Sequence, residues 1–444
     1  MSLPTQSDAG KTFSASATTA ARRPRLIRLR RFLRVLGPGL ITGASDDDPS
    51  GIGTYSVAGA RFGYSMLWTA LVTFPLMTAV QLICARIALA TGKGIGTVLA
   101  EHFPRRLVLS IVLALLAANT INVGADILAI AAGVNLLLPV PIGALIVPIG
   151  LLILAVQIWG SYRLISSVFK WLTLALFGYI AASLLAKPDW KDVAWATFVP
   201  TIQLDAPFLA TLVAILGTTI SPYLFFWQAS QEVEEQVARG RRWVWQRRAA
   251  ADREIKNAFW DVGIGMFFSN IVMYFIIFAT AATLHKTGQT EIGSAEQAAT
   301  ALAPLAGKAA TVLMALALIG SGLLAVPVLS GSAAYAVCEA MHWPCTLDAK
   351  PGQAKGFYII IAASTLGGLA INLLGVNPID ALFWTAVING FLAPPLLAVI
   401  MLVASNKTIM GKQANGPGLN LLGWATTLVM FAAAIGLLAT WGTL

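Results

Sequence analysis

Residues 46–53 read Asp46-Asp47-Asp48-Pro49-Ser50-Gly51-Ile52-Gly53, with apolar stretches on both sides at 35–42 and 55–60. Three successive carboxylates at membrane depth are costly unless they face water, a partner or a cation. Their oxygens suit coordination of a hard divalent cation. Pro49 removes a backbone donor, and Gly51 and Gly53 admit non-helical angles, so a helix is expected to break over 46–53. Such a break is tolerated at that depth only inside protein or beside a cavity. A polar loop between two short hydrophobic pieces is the plainer reading. Acidic residues combined with Pro and Gly interruptions favour a transport site.

A second interruption lies at 217–222, Gly217-Thr218-Thr219-Ile220-Ser221-Pro222, after the apolar run 208–216. One proline in a membrane helix is commonly a kink. Two polar-Pro steps, Asp48-Pro49 and Ser221-Pro222, at matching places in two halves point to a binding site between them. Asn119, Asn122 and Asp126 fall at i, i+3 and i+7, one helical face. That face either lines a pathway or forms an interhelical hydrogen-bond cluster; Asp126 favours the pathway, because an intramembrane carboxylate needs a partner. Gln228, with Gln231, Glu232, Glu234 and Glu235, ends the second interrupted span as an exit vestibule or as interfacial charge, and Asn389 is a further pathway candidate. Asp261 and Glu339 stand near span ends and read as solvated charges. Cys338, His342 and Cys345 read as ordinary side chains rather than a metal clip. No Walker loop, HExxH or nucleophile elbow is present, so neither ATP drive nor enzymatic hydrolysis is indicated.

The elements that must position these residues follow from composition. Of 444 residues 57% are hydrophobic and 11% charged, where a soluble domain carries about 25% charged residues. With a mean hydropathy of +0.76, this is an all-α polytopic membrane protein. Eleven spans are expected: 36–60 (broken), 64–90, 107–133, 140–158, 165–186, 206–235 (broken), 259–284, 308–339, 355–374, 379–404 and 419–442. A short surface helix is expected over 290–305. The net charge of +10 does not mark a nucleic-acid binder, because the basic residues cluster between spans. An inside N-terminus leaves only Arg61, Lys187, Lys191, Lys286 and Lys308 on the outer face, and an odd span count then puts the C-terminus outside. The Ser/Thr/Ala-rich start and its arginine run form a disordered basic cytoplasmic tail, 1–34, rather than a transit peptide. A core follows over 35–404, as repeats 35–186 and 206–404 if the halves each hold five spans, with a loop and eleventh helix at 405–444. Five-span halves insert with opposite orientation, so the breaks of spans one and six are expected to meet.

At these two interruptions the chain resembles the Nramp family of divalent-metal transporters, from about Leu36 to the tenth span. The family has Asp-Pro-Gly-Asn in its first span and Met-Pro-His in its sixth; here stand Asp48-Pro49-Ser50-Gly51 and Ser221-Pro222-Tyr223. The resemblance implies the bacterial leucine-transporter-like fold, two inverted five-helix repeats with helices 1 and 6 broken. It also implies a metal site at Asp48, with Asp47 beside it. Backbone carbonyls fall at Ser45 and Thr218, Gly51 stands at an asparagine ligand's place, and Ser221 at the thioether's. Asp46, Asn122, Asp126, Tyr223, Gln228 and Asn389 would line the pathway or support the ligands. Asp126 matches an acidic residue of the family, but Ala129 replaces a glutamate and Tyr223 a histidine that are linked to proton movement. Proton coupling is therefore in doubt, and the chain is similar to the divergent branch that includes magnesium transporters.

Oxygen ligands suit Mg²⁺, Mn²⁺ or Ca²⁺, and small Gly51 and Ser221 leave room for the waters that Mg²⁺ keeps. The expectation is a carrier of divalent cations, Mg²⁺ or Mn²⁺ favoured and Fe²⁺ next. It would sit in a bacterial-type inner (plasma) membrane, with no cofactor and no obligate protein partner. A sodium-coupled organic-solute symporter of the same fold is the first alternative, disfavoured because three aspartates repel an anionic substrate. A nontransporting membrane sensor is the second, disfavoured because both breaks are retained.

Overall fold

Helix is the only regular structure in this computed structural model, among the residues it describes: 37–160, 176–186, 188–303, 307–347, 350–373 and 375–440. The chain begins with α1 (Pro38–Asp46), α2 (Pro49–Phe62), α3 (Trp68–Thr91), α4 (Ile95–His102), α5 (Arg105–Leu137) and α6 (Ile142–Trp159). It continues with α7 (Gly178–Leu185), α8 (Trp190–Phe198), α9 (Ala206–Thr219), α10 (Pro222–Ala238), α11 (Val244–Ala249) and α12 (Ala251–Thr283). Last come α13 (Ala295–Ala299), α14 (Ala310–Ala340), α15 (Lys355–Asn372), α16 (Pro378–Ser405) and α17 (Pro417–Thr440).

Among the described residues nine stretches are long and apolar enough to cross a membrane: α3, α5, α6, the α9–α10 pair, α12, α14, α15, α16 and α17. The expected first span is present as α1 and α2, whose 9 and 14 residues are each too short to cross alone. The expected fifth span lies mostly outside the described residues, and α7 is its described end. The basic tail, 1–34, also lies outside them. Apolar side chains face outward along α6 (Val147, Leu151, Leu152) and α17 (Leu421, Leu428, Ile435, Leu438), as a lipid solvent requires. The helix expected over 290–305 is shorter than predicted, α13 with a 3-10 turn after it; Glu296, Gln297 and Thr300 are exposed and the opposite face is buried. Ala295, Ala298, Ala299, Ala301 and Leu302 are buried and pack against Met314 and Leu318 of α14 in one apolar cluster.

Both breaks are narrower than the sequence suggests. Only Asp47 and Asp48 leave the helix between α1 and α2, and only Ile220 and Ser221 between α9 and α10. Asp48 and Ser221 take extended angles as N-cap residues, and the prolines that follow occupy the first helical position, where a missing N–H costs nothing. Gly51 and Gly53 therefore do not loosen the backbone. They lie within α2 and neither has a positive φ. Their smallness is what the fold uses: a Cβ at Gly51 would stand 3.2 Å from the Tyr55 ring and 3.3 Å from Thr218 Oγ1, and one at Gly53 3.1 Å from Leu382 Cβ.

Long α12 runs beside both halves of the first broken helix. A side chain at Gly39 would strike the Val262 backbone, one at Gly43 the Gly265 backbone, and one at Gly59 Thr280 and the Ile277 carbonyl. These small residues let the helices touch backbone to backbone. Asp261 fixes the start of the pair. Its Oδ1 accepts from Gly37 N (2.8 Å) and Leu40 N (3.2 Å), and its Oδ2 from Gly39 N (2.7 Å). Asp261 is thus a buried cap on the orphan amides of α1, borrowed from another helix, and the reading of a solvated span-end charge is corrected. Glu339 is corrected in the same way: it is buried and accepts from Ser230 Oγ (2.7 Å) on α10 and Gly96 N (2.9 Å) at the start of α4.

Candidate metal site

The two breaks meet. Ser50 Oγ, at the second residue of α2, stands 3.3 Å from Thr218 Oγ1 at the end of α9, and the Tyr223 hydroxyl of α10 reaches back across to the Ser45 carbonyl of α1 (3.1 Å). Asp48 lies at this junction. Its Oδ1 accepts from Gly51 N (2.8 Å) and Ser50 Oγ (2.7 Å), which is the work of an N-cap. Its Oδ2 lies 3.4 Å from both Asn122 Nδ2 of α5 and the Tyr223 hydroxyl. Three helices thus fix one carboxylate, and at 3.4 Å the two contacts to Oδ2 are long enough to yield to a stronger partner.

The neighbouring carboxylates look elsewhere. Asp46 Oδ2 (2.6 Å) and Asp47 Oδ1 (3.2 Å) both approach Ser269 Oγ of α12, which has one proton to donate. Asp46 Oδ1 is buried without a hydrogen-bond partner. Among the described residues no three His, Cys, Asp or Glu side chains stand close enough to share a metal ion. A cation at the junction would therefore draw on Asp48 with carbonyl and hydroxyl oxygens, and not on three converging aspartates. The same holds at Cys338, His342 and Cys345, where no such group forms.

The carbonyls of Ser45 and Thr218 both border the junction, each already accepting one bond. Ser45 O takes the Tyr223 hydroxyl, and Thr218 O takes Ser221 Oγ at 2.6 Å. Ser221 also donates toward Gly217 O (3.0 Å), so its proton is used within its own helix and its oxygen lone pairs are what it could offer an ion. Gly51 keeps open the space between Tyr55, Thr218 and the Asp46 carbonyl.

Of the other sequence candidates, Asn122 and Tyr223 touch Asp48, and Ser332 Oγ of α14 holds the Tyr223 carbonyl (2.6 Å). Asp126 is buried one helical turn beyond Asn122, with both oxygens unpartnered among the described residues. Asn389 on α16 is buried with its amide likewise unpartnered among the described residues, and no hydrogen bond joins it to Asp48. Gln228 is not at the junction. Its Oε1 accepts from Thr42 Oγ1 (2.6 Å) and its Nε2 donates to Glu232 (3.0 Å), tying α1 to α10. Asn119 donates to the Leu329 carbonyl of α14 (2.9 Å), the interhelical role that was its alternative reading.

Sequence reasoning missed Ser269, Thr42 and the capping role of Asp261. Ser269 had a signal: with Asn270 it is a polar pair inside the apolar run 262–279. Every candidate ligand is buried, Asp47 most exposed at 6%, so the junction is enclosed.

Solved structures of the same shape include the Eremococcus coleocola manganese transporter in complex with an aromatic bis-isothiourea substituted compound. It has a TM-score of 0.73 at 17% identity, over 95% of this chain and 90% of that one. A mutant of the same transporter gives 0.70 at 18% identity, over 91% and 86%. Mhp1, a nucleobase-cation-symport-1 family transporter in a closed conformation, gives 0.53 at 13% identity, over 91% and 93%. At these identities the likeness establishes the fold, an inverted-repeat bundle with two broken helices. Residues 39–440 match the Nramp family (natural resistance-associated macrophage protein-like), and the chain belongs to that family.

Proposed function

We propose that this chain is an integral membrane transporter of divalent metal cations, working by alternating access, with Asp48 as the anionic ligand. The observation that carries the reading is the junction itself: one buried carboxylate caps α2 at the break of helix 1, and Ser50 and Tyr223 link that break to Thr218 and the break of helix 6. Half-helix ends and freed backbone oxygens at such a junction are the parts from which membrane transporters build ion sites. The family and the fold shared with a manganese transporter support the same class of substrate.

Within that class we favour Mg²⁺ or Mn²⁺, with Fe²⁺ next, because every group at the junction offers oxygen and none sulfur. Ser45, Asp47, Asp48, Gly51, Thr218 and Ser221 form the proposed ligand shell, Asp47 entering it only if it leaves Ser269. Asp46, Asn122, Asp126, Tyr223, Gln228 and Asn389 form the supporting layer. Ala129 has no proton to carry, and Tyr223 is committed to Ser45 and Asp48, so we propose transport without proton coupling. The repeats are 35–186 and 206–404, with 405–444 appended. The N-terminus is cytoplasmic, the C-terminus outside, and the membrane a bacterial-type inner membrane.

Uptake by proteoliposomes tests the reading. Mg²⁺ or Mn²⁺ should enter down its own gradient without acidifying the lumen, and Asp48→Ala should reduce uptake at least tenfold while the variant still elutes as a folded species. Sodium-dependent uptake of an amino acid with no cation flux would assign the chain to the symporter class. Wild-type cation affinity in Asp48→Ala would remove Asp48 from the site.

A further inference from the structure

The loop between α10 and α12 is folded onto the end of α3 by one arginine. Arg247 Nε donates to Gly92 O (2.9 Å), and its Nη1 to Arg242 O (2.7 Å) and Arg241 O (3.3 Å). Gly92 has a φ of +69°, and a Cβ there would stand 3.2 Å from Val244 O and 3.3 Å from Arg247 Cβ, so the seat is close. Val244 and Arg247 are turned inward by this arrangement. Trp243 and Trp245 are left outward, 66% and 68% exposed, in a segment too polar to cross the bilayer.

The charges around these rings sort into two sets. Arg239 (2.6 Å) and Arg241 (3.1 Å) are paired with the buried carboxylate of Glu254. Arg242 and Arg248 are exposed and make no ion pair among the described residues. Arg253 is 80% exposed and only grazes Glu254 at 3.8 Å. One to two turns further along α12, Phe259 and Trp260 are exposed where the helix enters its apolar stretch. The surface is therefore basic, aromatic, and placed where a membrane-crossing helix emerges.

A loop in open water gains nothing from presenting two indoles. Indole rings settle at the headgroup level of a bilayer, and unpaired arginines beside them attract anionic lipid. Arginine in addition holds phosphate oxygens through its fork of donors.

We propose that residues 242–253 form a binding site for anionic phospholipid headgroups in the leaflet on their side of the membrane. Arg242, Arg248 and Arg253 contact the phosphate, and Trp243 and Trp245 lie in the interfacial layer. The site needs only that the chain spans a bilayer and does not depend on which ion it carries. It bears on transport because this loop joins α10, which holds Tyr223, to α12, which holds α1 by Asp261. Headgroup binding steadies both attachments, so uptake depends on lipid charge.

The test reconstitutes the full chain in phosphatidylcholine vesicles with and without phosphatidylglycerol, each lipid supplied in brominated form to quench nearby tryptophan. The part of the fluorescence lost in Trp243→Phe/Trp245→Phe isolates these two rings from the remaining tryptophans. Expected is stronger quenching of that part by brominated phosphatidylglycerol than by brominated phosphatidylcholine. The preference should fall about fivefold per arginine in Arg242→Gln, Arg248→Gln and Arg253→Gln, singly and combined. Cation uptake in wild type should rise with phosphatidylglycerol, and the combined variant should lose that rise while keeping its rate in phosphatidylcholine. Equal quenching by the two lipids in wild type would overturn the proposal, as would a combined variant that retains the preference. Because quenching needs no transport, failure of the proposed transport function would leave this result readable.

Discussion

At the residue scale, Asp48 combines two duties that a single carboxylate divides between its oxygens. Oδ1 caps α2 and Oδ2 is held only at 3.4 Å, so an arriving ion meets an oxygen that is positioned but weakly engaged. Ser221 tests the identity of the ion. Its hydroxyl proton is committed to Thr218 and Gly217 carbonyls, which orients its lone pairs away from its own helix. Ser221→Met frees those carbonyls and adds a polarizable sulfur that Mg²⁺ does not use. The variant should gain Cd²⁺ relative to Mg²⁺ by about tenfold, on the order of 1.4 kcal/mol, with Mn²⁺ least changed. A competition assay that returned the wild-type Cd²⁺/Mg²⁺ ratio would mean that Ser221 only shapes the α9–α10 turn. Asp48 was legible because Asp-Pro is both an N-cap signal and a family motif. Ser269 was not singled out, because a serine in an apolar span has many uses and its partners lie more than two hundred residues away.

At the element scale, the breaks were legible and their extent was not. Glycine suggested backbone freedom at 51 and 53, but the structure uses those positions for close approach, a demand set by Thr218 and Leu382 on other helices. The capping of α1 by Asp261 is invisible locally for the same reason. Asp261→Asn should weaken it, since one of the three-bond set would face an amide NH₂ in place of an acceptor. The expected loss is about 1–3 kcal/mol of stability, read as a lower melting temperature in detergent with the helical signal intact. Gly43→Leu should do more, because its side chain has only the Gly265 backbone to displace. It should elute as aggregate or lose uptake altogether. A Gly43→Leu protein as stable and active as wild type would dismiss the α1–α12 contact as incidental.

At the scale of the whole molecule, the fold class and the places of the described spans could be read from hydropathy and paired interruptions. The burial of charge at span ends could not. Asp261 and Glu339 read as solvated residues, and Glu232 as vestibule or interfacial charge, because sequence shows distance from the span centre, while burial depends on which helices cover that end. The result is a junction whose candidate ligands are all buried, with Thr42 and Gln228 (2.6 Å) tying α1 to α10 beside it. In a background lacking Cys84, Cys338 and Cys345, a cysteine at Ala229, fully buried here, should resist a membrane-impermeant thiol reagent. It should become reactive from one face when transport cycles the protein. Reaction at equal rates with and without substrate would mean the enclosed form is not a transport state.

The alignment of α12 with the first broken helix sets a measure along the chain. Asp261 meets the beginning of α1 and Ser269 meets its end, and eight residues of helix cover about 12 Å while the nine residues of α1 cover about 13.5 Å. The two helices run parallel and in step, so α12 supplies a partner at each end of α1 while Asp48 and Pro49 make the break itself. One residue inserted between 262 and 268 would advance everything after it by about 1.5 Å and turn it by about 100°, carrying Ser269 away from Asp46 and Asp47. Substitutions along this stretch that stay small should be tolerated, whereas a single inserted alanine should abolish uptake, and the same insertion beyond Thr283, past the last point of contact with Gly59, should not. Deep insertion scanning across 255–290 would draw that boundary directly, and uniform tolerance across it would show that the break keeps its place by other means.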